Sequence, residues 1–241
     1  MTIKRRSALG MAAALAVPSY ARATRAPMTV VYGAFPPFTI ADPARPGVVN
    51  EIAGEVLRMI GREPNFVPLE WAEAQARGRN DANTLVTPLS RTPAREPNYT
   101  WIFKVMDIES SLGSFGRTGP LDLDGARRLS RMGVVAQSLH EGFLRSQGLT
   151  NLVPVSLANA MDALISGEIE ALYGPTLELR WHAHARGRSA DLHVGPRLQV
   201  SEVFLATSRA ATGVPVSEMR DAFSALESEG VVDRIVRRYI G

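Results

Sequence analysis

Short β-branched runs alternate with apolar stripes at helical spacing along this chain, and the alternation predicts an α/β fold. Met28 to Tyr32 reads as a buried first strand. Prolines and glycines from Gly33 to Gly47, around Phe35-Pro36-Pro37-Phe38, then predict a loop. Val49, Ile52, Ala53, Val56, Leu57 and Ile60 recur at the spacing of one helix face, stopped at Gly61. Asn65 to Leu69 reads as a second strand, placed at an edge by Pro68. Trp71 to Arg77 reads as a short helix and Leu85 to Thr87 as a third strand. Strand, helix, strand, helix, strand is the order of parallel βαβ units.

A helix start is predicted next, with Thr92 as N-cap and Pro93 in the first helical position. Thr100 to Val105 and Glu109 to Phe115 read as two further strands. Gly116 to Gly125 is rich in turn residues and reads as a boundary. Beyond it the pattern restarts, with a strand at Met132 to Ala136 and a helix from Ser138 to Gln147. Ser138 and Glu141 form a capping box there. Leu152 to Val155 is a strand, Ser156 caps a helix carrying Leu157, Ala160, Met161, Leu164 and Ile165, and Ile169 to Tyr173 is a strand. A helix over Leu177 to Ala185, strands at Leu192 to Val194 and Gln199 to Thr207, and helices at Ser217 to Leu226 and Val231 to Tyr239 complete the chain.

The N-terminus changes the charge reading. Lys4, Arg5 and Arg6 precede an apolar run from Ala8 to Val17, and Ala21-Arg22-Ala23 is a small-x-small cleavage site. The expectation is a cleaved signal peptide over 1–23 and a periplasmic protein. Arg5-Arg6 fits twin-arginine export, whereas Ala8 stands where that signal favours an aromatic. No cysteine follows the run, which excludes a lipid-anchored lipoprotein. The whole chain has 27 basic and 24 acidic residues. Removing the four basic residues of 1–23 leaves 23 against 24, so the basic character gives no reason to expect nucleic-acid binding. Without any cysteine, the fold must rest on its core.

Candidate chemistry concentrates at Ser90-Arg91-Thr92-Pro93-Ala94-Arg95. Arg95 falls on the first turn of the expected helix, where backbone N–H groups favour an anion. Its guanidinium adds a fork that can hold both oxygens of a carboxylate. Other signals are weaker. His182 and His184 have the wrong spacing to share a helix face and read as surface residues. His140 and His193 read as structural, and Arg127, Arg128 and Arg131 as a solvated basic face. Ser90 and Ser138 lack any nucleophile-elbow context, and no cofactor or metal site is expected.

With that order in hand, the chain resembles the bacterial extracellular solute-binding proteins of family 3, receptors of amino-acid-type ABC importers. The matching features are Phe35-Pro36-Pro37-Phe38, the first helix from Gly47 to Gly61, Thr92-x-x-Arg95, Leu121-Asp122-Leu123, Gly133-Val134-Val135 with Ser138, Ile169-Glu170-Ala171, and the last helix from Gly230 to Tyr239. The resemblance implies the two-lobe type II fold of periplasmic binding proteins, each lobe a mixed, mainly parallel sheet flanked by helices. Lobe 1 would be 24–115 plus 200–241, and lobe 2 the inserted 116–199. Arg95 would grip a ligand carboxylate, with Ser90, Thr92 and the capped helix at Ser138 adding polar contacts. Phe35, Phe38 and Trp71 would pack on the rest of a small solute. The implied partners are that solute, an amino acid or another carboxylate, and an inner-membrane ABC permease, with the receptor a monomer and not an enzyme.

Two departures stand out. The family's ammonium-binding Asp aligns with Pro175, so either the ligand is not a free α-amino acid or Glu178, Glu202, Glu70 or Glu51 takes that role. Gln137 also stands where a Gly commonly precedes Ser138. The alternatives are a lyase resembling the periplasmic cyclohexadienyl dehydratase, which shares the fold, and an orphan or sensory binding module.

Overall fold

A computed structural model describes residues 25–116 and 121–240; the expected signal peptide lies outside them. The first half runs β1 (Arg25–Tyr32), α1 (Val48–Met59), β2 (Arg62–Pro68), α2 (Trp71–Asn80) and β3 (Thr84–Ser90). β1 lies between β2 and β3, parallel to both. A 17-residue strand, β4 (Tyr99–Phe115), then leads to α3 (Leu123–Arg127), β5 (Met132–Val135), α4 (Leu139–Ser146), β6 (Leu152–Val155), α5 (Ala160–Ser166), β7 (Ala171–Pro175) and α6 (Thr176–Ala185). After β8 (Leu192–Val194), β9 (Gln199–Ser208) returns antiparallel to both β3 and β4, and α7 (Val216–Ser228) and α8 (Val231–Ile240) follow. The sheet order is β2-β1-β3-β9-β4-β7-β5-β6, with β8 on β4.

The core divides at the middle of β4. One cluster gathers residues between Met28 and Ile108 with others from Val203 to Ile235. Two smaller clusters draw on residues between Leu112 and Leu179. The α1 stripe explains the first: Ile52, Val56 and Leu57 have no exposed surface, and each stabilises by about 1.5–3 kcal/mol when fully buried. β4 and β9 thus tie two α/β halves together, and the cleft lies where they cross.

The loop before α1 is fixed by backbone. Val48 and Val49 donate to the carbonyls of Pro37 and Phe38 at 3.0 and 2.8 Å. Gly47 between them sits at φ 91°, and a Cβ there would stand 2.6 Å from the Phe38 carbonyl oxygen. Only glycine combines that dihedral with that approach. Phe35 and Phe38 are thereby held at the cleft.

Several expected elements differ. Pro93 to Asn98 forms consecutive turns, not a helix. Pro97 explains this, because it brings no N–H and disfavours the helical region for Glu96. The two strands expected from Thr100 to Phe115 are one, with register shifts against β9 at Trp101/Phe103 and Lys104/Met106. Ser156 does not cap α5, which starts at Ala160 behind Asn159. A turn intervenes and sends Leu157 against the core of the first half. The stretch read as a boundary contains the start of α3, capped by Asp122, whose Oδ1 accepts from the Gly125 N–H at 2.7 Å. As Pro68 implies, β2 is an edge strand.

Candidate functional site

The cleft holds a cavity of about 50 Å³. Phe35, Phe38, Trp71, Ser90 and Arg95 line it from the first half, Ser138, Leu139, His140 and Pro175 from the second, and Ile108, Ser201 and Val203 from the crossing strands. Six of the seven residues singled out in the sequence therefore meet in one place. Thr92 does not line the cavity; its carbonyl closes the turn by accepting from the Arg95 and Glu96 N–H groups at 3.0 and 3.1 Å. That turn is what aims Arg95 inward.

Arg95 is held by neutral groups. Its Nη1 donates to the Ser90 carbonyl at 2.9 Å and its Nη2 to Gln75 Oε1 at 2.7 Å. The guanidinium carbon lies 5.9 Å from the Trp71 ring centroid. Tyr99 steadies the arrangement by donating its hydroxyl to the Gln75 carbonyl at 2.9 Å. None of the ion pairs among the described residues uses Arg95. Its pKa falls below the ordinary arginine value because burial removes water from the cation. A shielded cation with two neutral acceptors retains spare donors and an uncompensated charge, and an anion would satisfy both.

Opposite stands the start of α4. Ser138 is its N-cap, accepting from the Glu141 N–H at 3.2 Å and donating its hydroxyl to the Val135 carbonyl at 2.7 Å. Glu141 reaches back to the Gln137 N–H at 2.7 Å, one residue beyond the N-cap that a standard capping box would reach. Gln137 takes φ 56°, in the left-handed region. This explains why glycine suits the position. Its carbonyl faces α2, where Gln75 Nε2 lies 3.5 Å away across the cleft.

Two polar residues of the site, His140 and Ser201, were not assigned to it from sequence, and a third, Glu178, was one of four carboxylates considered for the ammonium role. His140, read as structural, lines the cavity, with its Nε2 2.9 Å from Ser110 Oγ and its ring edge-on to Tyr173. Burial, and then the charge of Arg95, push its pKa down to about 4, so the ring is neutral at neutral pH. Ser201 is buried in β9 with a hydroxyl that lacks a hydrogen-bond partner. Glu178 on α6 lines an adjoining cavity of about 30 Å³ with His182, which is half-buried there rather than free on the surface. No short-range pattern marks these positions; they come together through α4, β9 and α6. Of the basic cluster, Arg127 pairs with Asp124, and Arg131 is tied to the carbonyls of Gly167 and Glu168. No group of three or more His, Cys, Asp or Glu among the described residues could hold a metal ion. No helix among them is long and apolar enough to cross a membrane.

No family model matches this sequence, and no curated protein does. Solved structures are similar in shape. An ancestral arginine-binding protein bound to arginine superposes with a TM-score of 0.80 at 15% identity, over 90% of this chain and 100% of that one. A substrate-binding protein of an ABC uptake transporter from Streptococcus pneumoniae, with bound histidine, gives 0.77 at 18%, over 89% and 92%. A histidine kinase sensor domain similar to periplasmic binding proteins gives 0.79 at 15%, over 89% and 96%. The chain has the α/β, two-lobe type II fold of periplasmic binding proteins.

Proposed function

We propose that this chain is a periplasmic receptor that captures a small carboxylate-bearing, amino-acid-like solute between its lobes and delivers it to an ABC importer. The observation that carries the reading is Arg95, a shielded guanidinium without an acidic partner, facing a cavity between the lobes. Ser90 and the N-terminus of α4 at Ser138 supply polar groups around the bound carboxylate, and Phe35, Phe38 and Trp71 pack on the remainder. Lobe 1 comprises 24–115 and 200–241, and lobe 2 comprises 116–199. The exported receptor is a monomer, its signal peptide removed after Ala23. Binding favours the closed form through contacts made to both lobes, and that form docks the permease.

The similarity to a kinase sensor domain favours a second reading, in which closure signals instead of delivering. Both readings share the ligand step. A thermal-shift panel of amino acids and other carboxylates tests it: a ligand at about 100 times its dissociation constant stabilises by roughly 2.7 kcal/mol. The carboxylates shift the melting temperature, whereas their uncharged amides do not. Equal shifts from acid and amide contradict the clamp.

A further inference from the structure

The two cavities of the cleft share Phe35, His140 and Pro175. They differ in charge. The first is faced by Arg95, a cation without an acid. The second is faced by Glu178, which is 8% exposed and, among the described residues, pairs with His182, Nε2 lying 3.8 Å from Oε1. Burial raises the Glu178 pKa, the cost of a carboxylate without a fixed cation. Glu202 pairs with Lys104, Glu51 with Arg238, and Glu70 is exposed, so none of the three faces either cavity. Phe35, Pro175 and the His140 ring line both cavities, and Leu157, Met161 and Leu179 add apolar wall on the Glu178 side. Pro175 borders both cavities and offers no acid beside the carboxylate site.

We infer that the two cavities are one elongated site for an ω-amino carboxylate, with its carboxylate on Arg95 and its terminal ammonium on Glu178. A junction of Phe35, Pro175 and a neutral His140 ring, with apolar wall beyond it, matches a methylene chain with a charge at each end. It does not match an α-amino acid with a neutral side chain, whose two charges sit on one carbon. This rests on the carboxylate-receptor reading and adds the class of ligand.

Calorimetric titration tests it, using the chain without residues 1–23. The probes are β-alanine, γ-aminobutyrate, δ-aminovalerate and ε-aminocaproate, with the unsubstituted acids and the α-amino isomers of the same chain lengths. The preferred ω-amino acid binds at least about tenfold tighter than both counterparts of its length. Glu178→Gln removes that preference, and a circular-dichroism spectrum and urea midpoint matching those of the unsubstituted chain show that the variant folds. If Glu178→Gln fails to fold, Glu178→Asp carries the test: its shorter side chain moves the optimum to a longer ligand. Tighter binding of the α-amino isomer, or an unchanged preference in Glu178→Gln with Arg95→Ala still weakening all acids, overturns this inference and leaves the receptor reading standing. Binding of none of these acids, with Arg95→Ala without effect, overturns both.

Discussion

Arg95 shows how much chemistry one residue can reveal from local sequence, and His140 shows the limit. Ser90, Thr92 and Arg95 lie within six positions, and a cap, a proline and an arginine at that spacing already imply an anion clamp. Arg95 is set by a turn instead of a helix, because the effect of Pro97 on its neighbours outweighs the capping pattern. His140 had no such local signal. Its environment comes from Ser110 on β4, Tyr173 on β7 and the charge of Arg95. That environment has a measurable consequence. With a folded-state pKa of about 4 against an ordinary 6.5, the unfolded chain takes up this proton first as the pH falls. Stability from this group is therefore lost between about pH 6.5 and pH 4, by up to about 3 kcal/mol. Glu178 acts in the opposite sense, since its raised pKa favours the folded state at lower pH. Urea unfolding at pH 7 and pH 4.5 checks the histidine contribution: His140→Gln loses less stability over that interval than the unsubstituted chain.

At the scale of elements, the strand–helix order was legible because each element has its own apolar period. The unity of β4 was not. Lys104, Asp107 and Glu109 interrupt its apolar pattern, yet Lys104 pairs with Asp107 and Glu202 on the exposed face while the backbone continues. The packing of α2 on β3 was also hidden. Gly78 lies so close to Val86 that an added Cβ would stand 2.4 Å from its Cβ. Gly78→Ala therefore destabilises by about 1–3 kcal/mol through overpacking, although alanine is the better helix former. A lower urea midpoint at unchanged slope is the expected result. Because α2 carries Trp71 and Gln75, the same substitution also weakens carboxylate binding.

Across the whole molecule, the two-lobe arrangement follows from β4 and β9 crossing between two separately buried cores. The inserted second series was visible in sequence as a pattern that restarts after Gly125, but the contacts between the halves were not. The Arg45 guanidinium carbon in the loop before α1 lies 5.4 Å from the Trp181 ring centroid on α6 and 5.2 Å from that of Tyr239 on α8. It bridges the two halves. A cation–π contact of about 0.5–1 kcal/mol favours the closed form, so Arg45→Ala weakens ligand binding by about two- to fivefold without altering the site. Titration with the preferred carboxylate measures it. The central claim is that one guanidinium receives the ligand carboxylate between the lobes. Titrating that carboxylate into the unsubstituted chain and into Arg95→Ala tests it most directly. A loss of roughly a hundredfold or more in affinity is the predicted result; equal affinity for the two proteins would contradict it.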